Sequence, residues 1–285
     1  MEKLTLRAIE YYAAVEAKFA ELGATLEDAA TSEVASSVDS MWESNGELYE
    51  ANGIGKSSLE AYLLNAQKAS TIMNLLYGPD GSTPVTEAEY TDFLNNSCYY
   101  IESVQIPLVD YSTYTMADDD QKTKILEIAA QCEAELKENA YGETSDMTVL
   151  YTAASEYVPQ AMETLGATME NASEAIYYAG AQLYTPDDLA GYGTDEYNNL
   201  TDPLDEAGMN QWTTIDLGTT ILVARRVDPL KSYTVEQLTS MYDLLTALKS
   251  DELQDQFYAD GAAMEHALDE GAMKTYSASK IKKNV

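Results

Sequence analysis

The sequence predicts an α+β protein, mostly helical, with helical segments towards both ends of the chain and a small α/β region between them. Apolar residues recur at spacings of three and four through residues 1–96 and again after residue 234, each run opened by a helix-start signal. Two segments, 99–110 and 219–227, are instead rich in β-branched residues and lie far apart in the chain. A length of 285 residues allows about two folding units at roughly 100–200 residues each. The expected division is a helical region over 1–97, a small α/β domain over 98–228, and a C-terminal helical segment over 229–285.

The elements follow in order. Leu4–Leu22 is amphipathic, and Thr25 with Asp28 makes a box-like N-cap for a helix running to Tyr49 and ending near Asn52-Gly53. From Lys56, the positions Leu59, Tyr62, Ala66, Ala69, Met73 and Leu76 form one stripe on a helix closed by Gly78-Pro79. Thr86 and Glu89 are a capping box for a short helix to Leu94. Tyr99–Asp110 reads as a strand. Asp118–Asn139 reads as a helix with three aspartates at its positive end, with Ile125, Ala129, Cys132 and Leu136 on one face and Gly142 beyond it. A shorter helix over Met147–Tyr157 is expected to stop before Pro159. Thr185-Pro186-Asp187-Asp188 is a helix start, and Thr219–Val227 is the clearest strand. Thr234 and Gln237 cap a helix with a stripe from Val235 to Leu248, and a further helix covers Glu252–Leu268.

Charge excludes several functions. With 16 basic against 49 acidic side chains the formal charge is −33, a field that repels phosphate backbones and anionic membrane faces, so no nucleic-acid partner is expected. No run approaches the roughly 20 apolar residues of a membrane span. The N-terminal residues carry no export signal, which fits either a cytosolic protein or an exported one lacking its leader; the absence of Lys and Arg from Glu138 to Ala224 leans toward export.

Candidate chemistry is sparse. Cys98 and Cys132 lack metal-ligand spacing, and His266 is the sole histidine, read as a solvated helix residue rather than part of a nucleophilic site. Zinc, a P-loop and a dinucleotide fingerprint have no support, and the acidic clusters at 118–120 and 187–188 lack the order of a calcium loop. No cofactor or metal is expected. Nothing selects a carboxylate pair for glycoside chemistry. The 22 tyrosines against 3 phenylalanines fit two readings: pairs such as Tyr11-Tyr12, Tyr99-Tyr100 and Tyr177-Tyr178 line a groove for polypeptide, or an acidic, well-solvated chain simply uses Tyr at boundary positions. The second is the plainer.

Four stretches carry a resemblance. Residues 85–94 (VTEAEYTDFL), 103–110 (SVQIPLVD), 146–157 (DMTVLYTAASEY) and 217–229 (LGTTILVARRVDP) occur in the order and spacing of extracytoplasmic foldases of the PrsA/SurA type. In these, a parvulin-like peptidyl-prolyl isomerase domain is inserted into a helical chaperone body. The likeness spans about residues 54–260. It implies a parvulin-like domain over 98–228 and a groove for peptide lined by Ile106, Leu150, Tyr184, Trp212 and Thr220. It also implies unfolded or exported polypeptides as partners, and an extracytoplasmic location with a leader and a lipid-attached cysteine preceding Met1.

The departures bear on activity. The family's opening-strand histidine falls on Ile106, beside Pro107, and its closing-strand histidine on Thr220; the glycine-rich stretch between them is not recognisable. The resemblance therefore implies a chaperone that binds extended polypeptide with a degenerate isomerase site. The alternatives are an active peptidyl-prolyl isomerase and a non-catalytic surface or adhesive module.

Overall fold

The computed structural model describes residues 2–139, 146–169, 171–191, 194–265, 269–275 and 280–283; Gly142 and His266 lie outside the described residues. The described residues are mostly helical, with a four-stranded antiparallel sheet and a two-stranded one, an α+β fold. It divides into two compact units, one made of Met1–Val85 with Leu248–Val285, the other of Thr86–Ala247.

In the first unit, α1 (Glu2–Glu21), α2 (Asp28–Ala51) and α3 (Lys56–Tyr77) form the N-terminal part, with α3 packed against both others. The expected N-cap of α2 at Thr25 is not used. Glu27 takes that position without a side-chain cap, and the other end closes at Asn52-Gly53, where Gly53 has φ +78°. The last long helix, α10 (Leu244–Ala263), enters this unit from residue 248 onward. It sits hard against α1: a Cβ at Gly261 would lie 2.2 Å from the Glu10 carbonyl oxygen, so only glycine permits the approach. Phe257 meets Tyr11 edge-on at 5.4 Å, Arg7 stacks 3.8 Å over the Tyr258 ring, and Tyr77 donates to Glu252 at 3.3 Å.

The second unit opens with α4 (Glu87–Asn96), held by the Thr86/Glu89 capping box. Strand β1 (Tyr99–Pro107) follows, then a small hairpin of β2 (Val109–Asp110) and β3 (Thr115–Met116). Helix α5 (Asp119–Glu138) starts from a second capping box, Asp118 with Gln121. Helix α6 (Met147–Thr164) runs through Pro159 instead of stopping before it. A proline there removes one backbone bond, but Val158 and Ala161 on either side are fully buried, and that packing outweighs the loss. A 3-10 turn (172–178) leads to β4 (Ala179–Tyr184), then α7 (Pro186–Gly191), α8 (Thr194–Ala207), β5 (Thr213–Asp216) and β6 (Thr220–Val227). Helix α9 (Val235–Tyr242) begins at the Thr234/Gln237 box. It ends sooner than its apolar stripe implies, because Asp243 adopts a left-handed conformation, φ +45°, and separates it from α10.

The strand order is β4-β1-β6-β5, all neighbours antiparallel. The two segments read as strands from sequence, β1 and β6, are thus side by side at the centre, with Ile106 opposite Ile221 and Pro107 opposite Thr220. β6 is buried along most of its length, which is why TTILVARRV is nearly continuous in apolar and β-branched residues. Across the same pair, Arg225 Nε donates to Glu102 Oε2 at 2.7 Å with both side chains almost wholly buried, and the guanidinium lies 5.1 Å from the Trp212 ring. Removing one partner leaves the other charge stranded in the interior. Arg225→Met is expected to destabilise the protein by about 3–5 kcal/mol in urea unfolding, and Glu102→Leu added to it to restore most of that. A single-variant loss under ~1 kcal/mol would contradict this.

Candidate functional site

The period-two alternation of β1 sorts its side chains between two faces. Val104 and Ile106, with Ile221 and Val223 of β6, point at α5 and α6 and form a closed core with Ile125, Cys132, Leu150 and Val158. Ile101, Ser103 and Gln105 point the other way, beside Gly180, Gln182 and Tyr184 of β4 and Thr220 and Leu222 of β6. Helices α7 and α8 cover one end of this second face, where Leu189, Leu200 and Leu204 pack on Ile101, Leu222 and Ala224. The other end stays open as a groove of about 540 Å³, within the size range of ligand sites.

The groove has a defined chemistry. Tyr111, from the loop after β2, and Tyr177, from the 3-10 turn, stand at its sides; Tyr177 is 82% exposed. Gln105 is the one exposed residue of β1. Among the described residues, the side chains of Ser103, Gln105 and Thr220 make no hydrogen bond to the protein, so their donors and acceptors face the groove unspent. Gly180, opposite Ser103, leaves the floor low: a Cβ there would meet nothing within 4 Å. No Asp, Glu, Lys, Arg, His or Cys is among the described residues that line the groove. Such a surface can offer hydrogen bonds and apolar contact, and it holds no side chain suited to proton transfer or nucleophilic attack near neutral pH.

The residues expected at the groove divide accordingly. Tyr184 and Thr220 line it. Ile106, Leu150 and Trp212 do not: all three belong to the closed core under α5 and α6, Ile106 and Leu150 essentially without solvent contact and Trp212 6% exposed. For Ile106 the reason is a single residue of register, since its neighbour Gln105 takes the groove-facing position. Leu150 sits on the inner face of α6, and Trp212 precedes β5 on the side of Arg225. The residues the sequence reading missed are Ser103, Gln105, Gly180 and Gln182. Strict alternation from the buried Val104 would have found the first two, whereas the last two lie on β4, which has no strand signature of its own.

No family model matches the chain, and no curated protein matches it significantly. Among solved structures it is similar to the foldase protein PrsA from Streptococcus pneumoniae, at 10% identity and a TM-score of 0.43, covering 96% of this chain and 89% of that one. It is also similar to a peptidylprolyl isomerase, PrsA, from Bacillus cereus, at 14% identity and a TM-score of 0.33, covering 97% and 89%. Among the described residues, no helix is long and apolar enough to cross a membrane, and no group of His, Cys, Asp or Glu is arranged to hold a metal ion.

Both cysteines are buried, and desolvation, reinforced by nearby carboxylates, pushes each thiol up to about 12. The thiolate is the reactive form, so neither should react with a disulfide reagent at pH 8 until the chain unfolds, when both should. In the unfolded chain the thiols ionise from about pH 8.5 while the folded ones keep their protons, so these groups make stability fall as pH rises above about 8.5. Rapid labelling of the native protein in the thiol-reagent assay would refute the buried placement.

Proposed function

We propose that this protein is a chaperone of the extracytoplasmic foldase type, and that the groove beside β1 binds extended polypeptide without efficient isomerisation. The observation that carries the reading is the groove itself: an uncharged, tyrosine-walled surface with unspent hydroxyl and amide groups, on a chain whose formal charge is −33. An extended peptide presents alternating backbone donors and acceptors with mixed side chains, and Ser103, Gln105, Gln182 and Thr220 offer partners to the first while Leu222, Tyr111 and Tyr177 offer contact to the second. Phosphates and metal ions find no counter-charge there. The resemblance of residues 85–94, 103–110, 146–157 and 217–229 to PrsA/SurA-type foldases points the same way, as does the central pairing of an opening strand with a closing one.

Gln105, next to the Ile106 on which the family's opening-strand histidine falls, lines the groove, and so does Thr220, on which its closing-strand histidine falls. Gln105 is opposite Leu222, two residues from Thr220 on the same face, a diagonal separation of about 7–8 Å. Glutamine and threonine can hold a peptide carbonyl by hydrogen bonds. The rotation barrier of the amide is about 18–20 kcal/mol, and a site that binds ground and twisted states alike does not lower it.

Two readouts test this together. The full chain should suppress aggregation of an unfolded test protein on dilution, while leaving its proline-limited refolding phase, normally tens to hundreds of seconds, at its uncatalysed rate. Gly180→Val, which fills the groove floor at an unstrained backbone position, should lose the suppression without loss of folded stability. Catalytic acceleration of the slow phase would establish an active isomerase instead, and retained suppression in Gly180→Val would remove the groove from the account.

A further inference from the structure

We infer that the groove selects polypeptide segments with a neutral, apolar centre flanked by lysine or arginine, an inference that rests on the polypeptide-binding reading above. The lining of the groove is uncharged, but its surroundings are not. Between Thr86 and Ala247 there are 29 acidic and 6 basic residues, a net −23 out of the chain's −33. The asymmetry sharpens in the segment that builds much of the groove. From Glu138 to Ala224 there are 15 acidic residues and no basic one, and this stretch supplies Tyr177, all of β4, Leu189, Leu200, Leu217 and Thr220.

Two of these acids stand close in sequence to residues that line the groove. Glu174 is exposed in the same 3-10 turn as Tyr177, three residues before it. Asp187 is exposed in the first turn of α7, two residues before the groove-lining Leu189. At least three of the six bases in this unit are already engaged by its own groups. Arg225 is buried against Glu102, Arg226 is held by Asp205 at 3.2 Å and lies 4.0 Å over the Tyr99 ring, and Lys122 is held by Asp216 at 2.7 Å.

A neutral slot with an acidic border sorts ligands in two ways. Charged side chains are disfavoured inside, because nothing there replaces their water. Outside, the border attracts cationic flanks and repels acidic ones, an effect carried largely by the association rate and weakened by salt. A segment with apolar residues in the slot and Lys or Arg a few residues either side satisfies both conditions. An acidic segment of the same apolar content satisfies only one.

The test uses three fluorescent decapeptides with one apolar centre and flanking pairs of Lys, Gln or Glu, titrated with the full chain by anisotropy. The Lys-flanked peptide should bind roughly tenfold tighter than the Gln-flanked one near 0.01 M ionic strength, the Glu-flanked one weaker still, and the three should converge near 1 M, where the screening length is only about 3 Å. The double variant Glu174→Gln/Asp187→Asn changes the chain only from −33 to −31, so a marked loss of the Lys preference there assigns it to the border. A preference unchanged in the double variant would overturn that assignment, leaving the bulk charge as its cause. Equal binding of all three peptides, still lost in Gly180→Val, would overturn the selectivity while leaving the binding function intact. Binding of none would overturn both.

Discussion

The antiparallel pairing of β1 with β6 is the constraint on which the second unit depends. Its register puts Val104 against Val223 and Ile106 against Ile221 on one face, and Ser103 against Ala224 and Gln105 against Leu222 on the other. Because side chains alternate, a slip of one residue would exchange the two faces, placing Gln105 under α5 and α6 and exposing Ile106. The buried Glu102–Arg225 pair opposes such a slip, since it forms only when those two residues share a rung. A closed core on one face and an open, hydrogen-bonding groove on the other are two consequences of one register.

Separation of the faces also explains how so acidic a chain keeps an uncharged site. Many carboxylates are placed where helices and turns meet solvent, among them those at the first turns of α4, α5 and α7 and Asp202, Asp205 and Glu206 of α8. There they favour the positive helix ends and keep the protein soluble. The groove is floored by strands, whose inward residues are drawn from Ile, Ser, Gln, Thr and Leu, so the charge collects around it and not in it. Tyrosine, with an apolar ring and a polar hydroxyl, suits the boundary between these zones, where Tyr111 and Tyr177 line the groove and stay exposed.

Local signals were legible in the sequence and non-local ones were not. The capping boxes at Thr86 and Thr234, built from residues three apart, are formed as read, whereas the Asp118–Gln121 box was not read and the Thr25–Asp28 one is not used. Pro159 misled because the burial of Val158 and Ala161 is tertiary and overrides a local breaker. Strand β4, with the sequence AGAQLY, has little intrinsic strand preference and exists because β1 offers it an edge to pair with. The groove inherits the same limit. Thr220 and Tyr184 were named from the family resemblance, but Gly180 and Gln182 could not be before β4 was known, and Ile106 was chosen over Gln105 by one position.

Site-specific photocrosslinking tests the central claim most directly. A benzophenone side chain placed at Gln105 on the groove face, at Gln182 across it, or at the exposed Glu127 of α5 on the other side of the sheet, would be irradiated in the full chain with an unfolded client. The account predicts client adducts from positions 105 and 182 and little from 127, with the first two competed away by a short apolar peptide. Adducts of equal yield from all three positions, or from 127 alone, would contradict it.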